Sequence, residues 1–276
     1  MKIDVSEVKS YRICPRQHNL TSRNRMHLRP IVTPDAFVTG KLFHKALHSM
    51  YLGATLESII KGLRDENAEL CLYTMLNSYY INVLPLDLDQ YAILDIEHRF
   101  TFKAPVKQFD IDVVGSIDML AQDKLTGLVY GFEHKSAKNF KDATYMWMDE
   151  QPRLYTEALR RYCIDRNLPM GGIFINEVRK LTRDFSHRRT LCEYSAEDLD
   201  NFLLQFYQTA SEIYCVSGRM ADVPKPSFMG CQMCDFAAVC QTYKYATLDK
   251  DAIMAEFDME FKVAEMDHLE EDKGGA

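Results

Sequence analysis

Two short stretches of this 276-residue sequence hold charged residues in a pattern that chemistry can use: Gly115-Ser116-Ile117-Asp118 and Glu133-His134-Lys135. The residues around them, Val113, Val114, Ile117, Met119, Leu120, Leu128, Val129 and Phe132, predict two buried strands. Asp123-Lys124-Leu125-Thr126-Gly127 reads as the hairpin turn between them. Side chains alternate along a strand, so Glu133 and Lys135 share one face and His134 takes the other. Pairing the strands brings Asp118 beside Glu133, which puts two carboxylates and an ammonium at one spot. Unpaired charges on buried strands are costly, and neighbouring carboxylates call for a cation. Mg²⁺ or Mn²⁺ suits oxygen ligands of this kind. Such an ion would hold a phosphodiester and its attacking water, with Lys135 positioning that water or helping to deprotonate it. A solvated sheet face would show the same bare spacing; the apolar flanks favour a site.

A second cluster is made of thiols. Cys231-x₂-Cys234-x₅-Cys240 places three cysteines within ten residues of an irregular segment opened by Pro224 and Pro226, a metal or cluster site that needs a fourth ligand. Cys14 and Cys215 are the candidates for it. Cys71, Cys163 and Cys192 sit in apolar helix or strand patterns and read as core. His44 and His48 stand at i, i+4, but the glutamate of a zinc-protease HExxH is missing, so that chemistry is rejected.

Several elements must position these groups. Ser6–Leu20 reads as a short helix interrupted by Pro15. Thr39–Leu52 has an apolar face of Leu42, Phe43, Ala46, Leu47 and Met50, and a second helical stretch runs from Leu56 to Tyr80. Strands follow over 91–102, 109–121 and 127–136, then a helix over 145–162, strands over 171–178 and 188–194, and a helix from Ser195 to Cys215. The order predicts a mixed α/β domain. The length can bury a sizeable core, and no stretch is long enough to span a bilayer or act as a signal peptide; a cytoplasmic protein with reduced thiols is expected.

In order along the chain these pieces resemble the PD-(D/E)XK nuclease superfamily, and within it the RecB-type exonucleases. Gly40-Lys41-Leu42-Phe43-His44 resembles the family's helical G-x-x-x-H, and Gln151-Pro152-Arg153-Leu154-Tyr155 its Q-x-x-x-Y. Glu97 falls where many members carry an additional acid near the site. Tyr11-Arg12-Ile13-Cys14-Pro15 resembles the Y-x-x-C-P of the iron–sulfur subgroup, which includes CRISPR-adaptation nucleases and exonuclease V. The resemblance implies a restriction-endonuclease-like core with a mixed central sheet, a helical N-terminal part and a C-terminal cysteine-rich segment. It implies Mn²⁺ or Mg²⁺ on His44, Asp118, Glu133 and the His134 backbone carbonyl, with Lys135, Gln151 and Tyr155 completing the site. It also implies a [4Fe–4S] cluster on Cys14, Cys231, Cys234 and Cys240, zinc being the other reading of four thiols.

The implied activity is metal-dependent exonuclease cleavage of DNA, single-stranded by preference, in recombination, repair or phage DNA metabolism. A CRISPR spacer-acquisition nuclease and a non-catalytic DNA-binding scaffold are the alternatives. Net charge, -7, at first opposes a DNA partner. It is confined to one end: residues 249–276 hold ten acids and three bases, leaving thirty of each in 1–248. The expected division is therefore a nuclease domain over 1–248 and an acidic tail over 249–276. Ile253, Phe257, Phe261 and Ala264 have helical spacing within that tail, which could pack on the body, bind a protein partner or cover the DNA path. Candidate DNA contacts are Arg12, Arg16, Arg23 and Arg25, the basic runs at 179–183 and 187–189, and the aromatic Tyr145 and Trp147 for stacking on a base.

Overall fold

The structure is a computed structural model and describes residues 1–32, 35–64, 70–181, 183, 185–216, 228–244 and 248–264. Strand β1 (Lys2–Ile3) leads into helix α1 (Val5–Ile13), whose N-cap Asp4 accepts the N–H groups of Ser6 and Glu7. Helix α2 (Pro15–Thr21) begins after one extended residue, Cys14. Pro15 causes the break: it disfavours helical backbone in the residue before it and suits the first turn of a new helix. Then come β2 (Leu28–Pro30), α3 (Asp35–Tyr51), α4 (Leu56–Arg64), α5 (Leu70–Asn82) and α6 (Leu84–Gln90). Of the helical stretch expected over 56–80, residues 65–69 lie outside the described residues and the rest is α4 and α5; Pro85 sits in the first turn of α6.

Three long strands follow: β3 (Tyr91–Lys103), β4 (Asp112–Asp123) and β5 (Val129–Ala137). The helix expected over 145–162 is split into α7 (Ala143–Met148) and α8 (Glu150–Arg166), because Asp149 turns extended and caps α8 at the Gln151 N–H. Next are β6 (Met170–Arg179), β7 (His187–Cys192) and α9 (Ala196–Cys215). The cysteine segment is not irregular throughout: it contains α10 (Phe228–Gln232) and α11 (Ala237–Thr242), although Pro224 and Pro226 lie outside the described residues. Helix α12 (Lys250–Glu256) and strand β8 (Phe261–Val263) close the described chain.

The chain divides into two compact units, Pro34–Thr101 with Val114–Leu203, and Met1–Thr33 with Phe102–Val113 and Leu204–Ala276. In the first, β4 runs antiparallel to β5, β5 parallel to β6, and β6 antiparallel to β7, with β3 paired to β4. The sheet is mixed, as expected. Its turn is held by Asp123, which accepts the N–H groups of Leu125 and Thr126, while Gly127 takes a φ of 74° that favours glycine. Leu42, Phe43, Ala46, Leu47 and Met50 of α3 are buried with Leu72, Met75 and Tyr79 of α5 and with Met119 and Phe132 of the sheet. Helix α8 packs on β5 and β6. Gly115 permits one close approach: a Cβ there would stand 2.4 Å from the Phe100 ring.

In the second unit β1 pairs in parallel with the start of β4, Lys2 opposite Asp112, and β2 pairs antiparallel with β8. Leu20, Leu28, Phe236, Val239, Leu248, Ile253, Phe257 and Phe261 form its core. Over residues 249–264 the chain is a helix and a strand whose apolar residues complete this core; residues 265–276 lie outside the described residues. The spacing of Ile253, Phe257 and Phe261 signalled burial, but only the first lies on a helix. No helix among the described residues is long and apolar enough to cross a membrane.

Candidate active site

The β4–β5 ladder is regular as far as Met119 opposite Phe132. Beyond it the Asp118 carboxylate, rather than a backbone carbonyl, accepts the His134 N–H at 2.7 Å. Helix α3 brings His44 Nδ1 to 3.3 Å from the same Asp118 oxygen. On β5 Glu133 is 3% exposed, and its Oε1 receives the Lys135 ammonium and Gln151 Nε2, the latter at 2.9 Å. Lys135 also donates to Gln151 Oε1 at 3.0 Å, and Gln151 Nε2 lies 2.9 Å from the Tyr155 hydroxyl. Gln151 and Tyr155 meet because residues four apart share a helix face. The Tyr155 ring packs edge-on against Phe100, the ring that needs glycine at 115.

The electrostatics follow from burial and from the neighbours. Burial, then the charge of Asp118, pushes Glu133 up to about 7. Burial also works against ionised Asp118, but the His44 hydrogen bond and charge and the His134 N–H override it, and its pKa is lowered. His44 is raised: burial opposes its charge, and Asp118 followed by Glu133 outweighs burial. Lys135 is likewise raised, Glu133 overcoming burial. The ammonium is therefore held charged in this arrangement, which suits a donor that positions a water better than a base that deprotonates it.

The chemistry of the donor set suits a hard divalent cation: the His44 imidazole meets the Asp118 carboxylate, and Glu133 Oε2 is buried with no hydrogen-bond partner. The fit is one of chemistry and not of a closed cage, since among the described residues no three His, Cys, Asp or Glu side chains are gathered in metal-holding geometry. A small cavity of about 10 Å³, lined among others by His44, Glu97, Asp118 and His134, lies beside Asp118. Glu97 pairs with His48 at 3.3 Å and has a φ of 53°, a left-handed backbone that is rare for a non-glycine residue within a strand.

The His134 side chain belongs to a buried network that the sequence did not disclose. Asn176 Nδ2 donates to His134 Nδ1 at 2.8 Å and to the Tyr79 hydroxyl at 3.0 Å. Tyr79 meets Tyr51, Tyr51 donates to Asp87 at 2.6 Å, and Arg189 grips both Asp87 oxygens at 2.7 and 2.9 Å. Burial pushes His134 down to about 4, so it is neutral. With Nδ1 accepting, its proton sits on Nε2, which is buried without a partner. The ion pair joins residues 102 apart in sequence and has no local signature.

Among the described residues the four cysteines of the second cluster are not gathered in metal-holding geometry. Cys14 lies at the α1/α2 break, Cys231 on α10 and Cys240 on α11. Burial raises the Cys240 thiol, Arg16 lowers it, and the charges of Cys14 and Cys231 raise it again; Cys234 is raised by burial and then by Cys240 and Cys14. Cys215 is exposed at the end of α9, Cys163 and Cys192 are buried, and Cys71 is half-buried.

The expected DNA contacts are largely taken by the protein itself. Arg12 bonds Thr209 Oγ1 and the Gln205 carbonyl, and Arg16 is fully buried with the Tyr243 and Lys244 carbonyls as partners. Arg23 pairs with Asp4 and Glu7, and Arg25 bonds the Val216 carbonyl. Arg188 and Arg189 are paired with Glu177 and Asp87. These arginines cluster in sequence because the fold needs cations there. Trp147 packs on Tyr194 and Arg153, while Tyr145 is exposed. The cationic opening lies elsewhere: a cleft of about 630 Å³ lined by Phe37, Lys41, His44, Lys45, Glu97 and Lys135 among others. Lys41 and Lys45 flank His44 on α3, a spacing legible in the sequence.

The sequence profile of the PD-(D/E)XK nuclease superfamily matches residues 3–241. No curated protein matches the chain. Among solved structures, a protein from Eubacterium rectale provisionally designated an exonuclease is similar at 14% identity and a TM-score of 0.55, over 94% of this chain and 92% of that one. SSO0001 aligns at 12% identity and a TM-score of 0.42, over 90% and 87% of the two chains. At these identities only the fold of the first is shared evidence.

Proposed function

This chain belongs to the PD-(D/E)XK nuclease superfamily, and from that premise we propose that it is a metal-dependent DNA exonuclease acting on single strands. The observation that carries the reading is the joined set His44–Asp118 and Glu133–Lys135–Gln151–Tyr155, with one buried Glu133 oxygen left unpartnered. His44, Asp118, Glu133 and the His134 carbonyl would hold Mn²⁺ or Mg²⁺, which when bound supplies a Lewis acid for the phosphodiester and lowers the pKa of a water.

The chain's own residues do the rest. Lys135 has three N–H donors, two of them engaged by Glu133 and Gln151, and it lines the cleft; the third is available to a water or a phosphate oxygen. Gln151 fixes Lys135 relative to Glu133, and Tyr155 fixes Gln151. The His134 N–H holds Asp118 in place. For the thiols we propose a [4Fe–4S] cluster on Cys14, Cys231, Cys234 and Cys240; the mutual influence of their charges supports this grouping. Anaerobically purified protein should contain iron and sulfide, and a colourless zinc protein would overturn that assignment.

The test of activity is to incubate end-labelled single-stranded DNA with Mn²⁺ or Mg²⁺ and follow the products. Progressive shortening from an end supports the exonuclease. Internal cuts alone would make the protein an endonuclease, and intact DNA that is nevertheless bound would favour a non-catalytic scaffold.

A further inference from the structure

Helix α3 has two working faces. One is buried: Leu42, Phe43, Ala46, Leu47 and Met50 are each at most 6% exposed. The other holds Phe37, Lys41, His44, Lys45 and His48, all of which line the 630 Å³ cleft together with Lys135. Phe37 is 56% exposed, a ring left in water at the cleft wall, and the Lys41 ammonium lies 5.0 Å from its centroid. Positions 37, 41 and 45 follow one another at intervals of four residues, about 6 Å along a helix axis. That interval is of the order of one step between successive phosphates in an extended strand. Phe37, Lys41 and Lys45 line the same cleft as His44 and Lys135.

We infer that Phe37, Lys41 and Lys45 form the subsite for the substrate strand, the two lysines holding successive phosphates and Phe37 stacking on an unpaired base. The inference rests on the nuclease reading and adds where the strand lies beside the site. A ring presented at the wall favours a single strand, since a paired base has no free face to offer; aromatic platforms and lysines are how proteins hold such strands without reading sequence. The lysines act on phosphates alone, so their contribution is salt-dependent.

The experiment measures fluorescence anisotropy of a labelled thymidine oligonucleotide across a salt series in EDTA, and hydrolysis of bis(p-nitrophenyl) phosphate with Mn²⁺. The variants are Phe37→Ala, Phe37→Leu, Lys41→Gln and Lys45→Gln, with Lys107→Gln as a control in the other unit. Phe37→Ala should weaken binding by about five- to a hundredfold, and Phe37→Leu, which keeps an apolar side chain, should lose most of the same. Each cleft lysine variant should flatten the slope of log K against log salt by roughly 0.7, and the control should leave it unchanged. Hydrolysis of the small diester by Lys107→Gln should stay within about twofold of wild type. Wild-type affinity and salt slope in the Phe37 and lysine variants would overturn the subsite while leaving the nuclease reading intact. Equal affinity for duplex, with the same sensitivity to Phe37→Ala, would overturn the stacking role. Wild-type protein that cleaves neither DNA nor the small diester would sink the nuclease reading, and the binding series would still decide the subsite.

Discussion

Replacing Gln151 by Leu removes one amide from the centre of the site while keeping a side chain of similar size. Its Oε1 accepts from Lys135 at 3.0 Å, and its Nε2 lies 2.9 Å from both Glu133 Oε1 and the Tyr155 hydroxyl. The variant takes a partner from a buried carboxylate and from the ammonium beside it. Hydrogen bonds to charged groups are worth about 1.5–3 kcal/mol each. The Lys135 side chain is 39% exposed, so water can replace part of what is lost, and the two bonds cannot simply be added. A net loss of about 2–3 kcal/mol in transition-state stabilisation is a fall of roughly 30- to 150-fold in kcat/KM. The assay is kcat/KM on single-stranded DNA with Mn²⁺ for wild type, Gln151→Leu, Lys135→Met and the double variant, with thermal unfolding recorded in parallel. If Gln151 acts by holding Lys135, the double variant is hardly worse than Lys135→Met, and the cycle shows a coupling of about 2 kcal/mol. Activity within twofold of wild type, or losses that simply add, would show that Gln151 does not act through Lys135.

Other predictions concern stability. Burial, then Arg189, pushes His187 down to about 4 from its ordinary 6.5. The unfolded chain therefore binds the proton first as pH falls; His187 contributes fully above pH 6.5, and the contribution fades toward pH 4. Discounted for its half-buried setting this is about 1–2 kcal/mol, and His187→Gln should shrink the fall in Tm over that range; an unchanged pH profile would contradict it. Truncation after Leu248 removes Ile253, Phe257 and Phe261 from a core, at about 1.5–3 kcal/mol for each fully buried side chain. The shortened chain should melt far below full-length protein, and an unshifted Tm would restore the separable tail. Glu97→Gly should be more stable than Glu97→Ala by about 1 kcal/mol, because a φ of 53° costs only the alanine; equal Tm values would deny the left-handed backbone.

The parts of the site that were legible in the sequence are those set by local periodicity. Strand alternation put Glu133 and Lys135 together, and helix spacing did the same for Gln151 and Tyr155. The pairing of Asp118 with β5 was legible as well, although the contact is to the His134 N–H and to His44 more than to Glu133. What local periodicity does not encode is partner choice across the chain. Arg16 looked like a cation beside a cysteine, and nothing nearby announced that carbonyls 227 and 228 residues away would bury it. The Asp87–Arg189 pair and the Asn176 link to His134 were hidden for the same reason. Helix breaks fall at Cys14, before Pro15, and at Asp149; a proline announces the first in the sequence, whereas an aspartate within a helical pattern does not announce the second.

The central claim is that Glu133 and Lys135 carry out metal-dependent hydrolysis. Its most direct measurement is the degradation of end-labelled single-stranded DNA with Mn²⁺ by wild type, Glu133→Gln and Lys135→Ala, each first shown to be folded. Wild type should shorten the DNA, and both variants should lose at least about a hundredfold, the size of one removed catalytic group. Equal degradation by all three would contradict it.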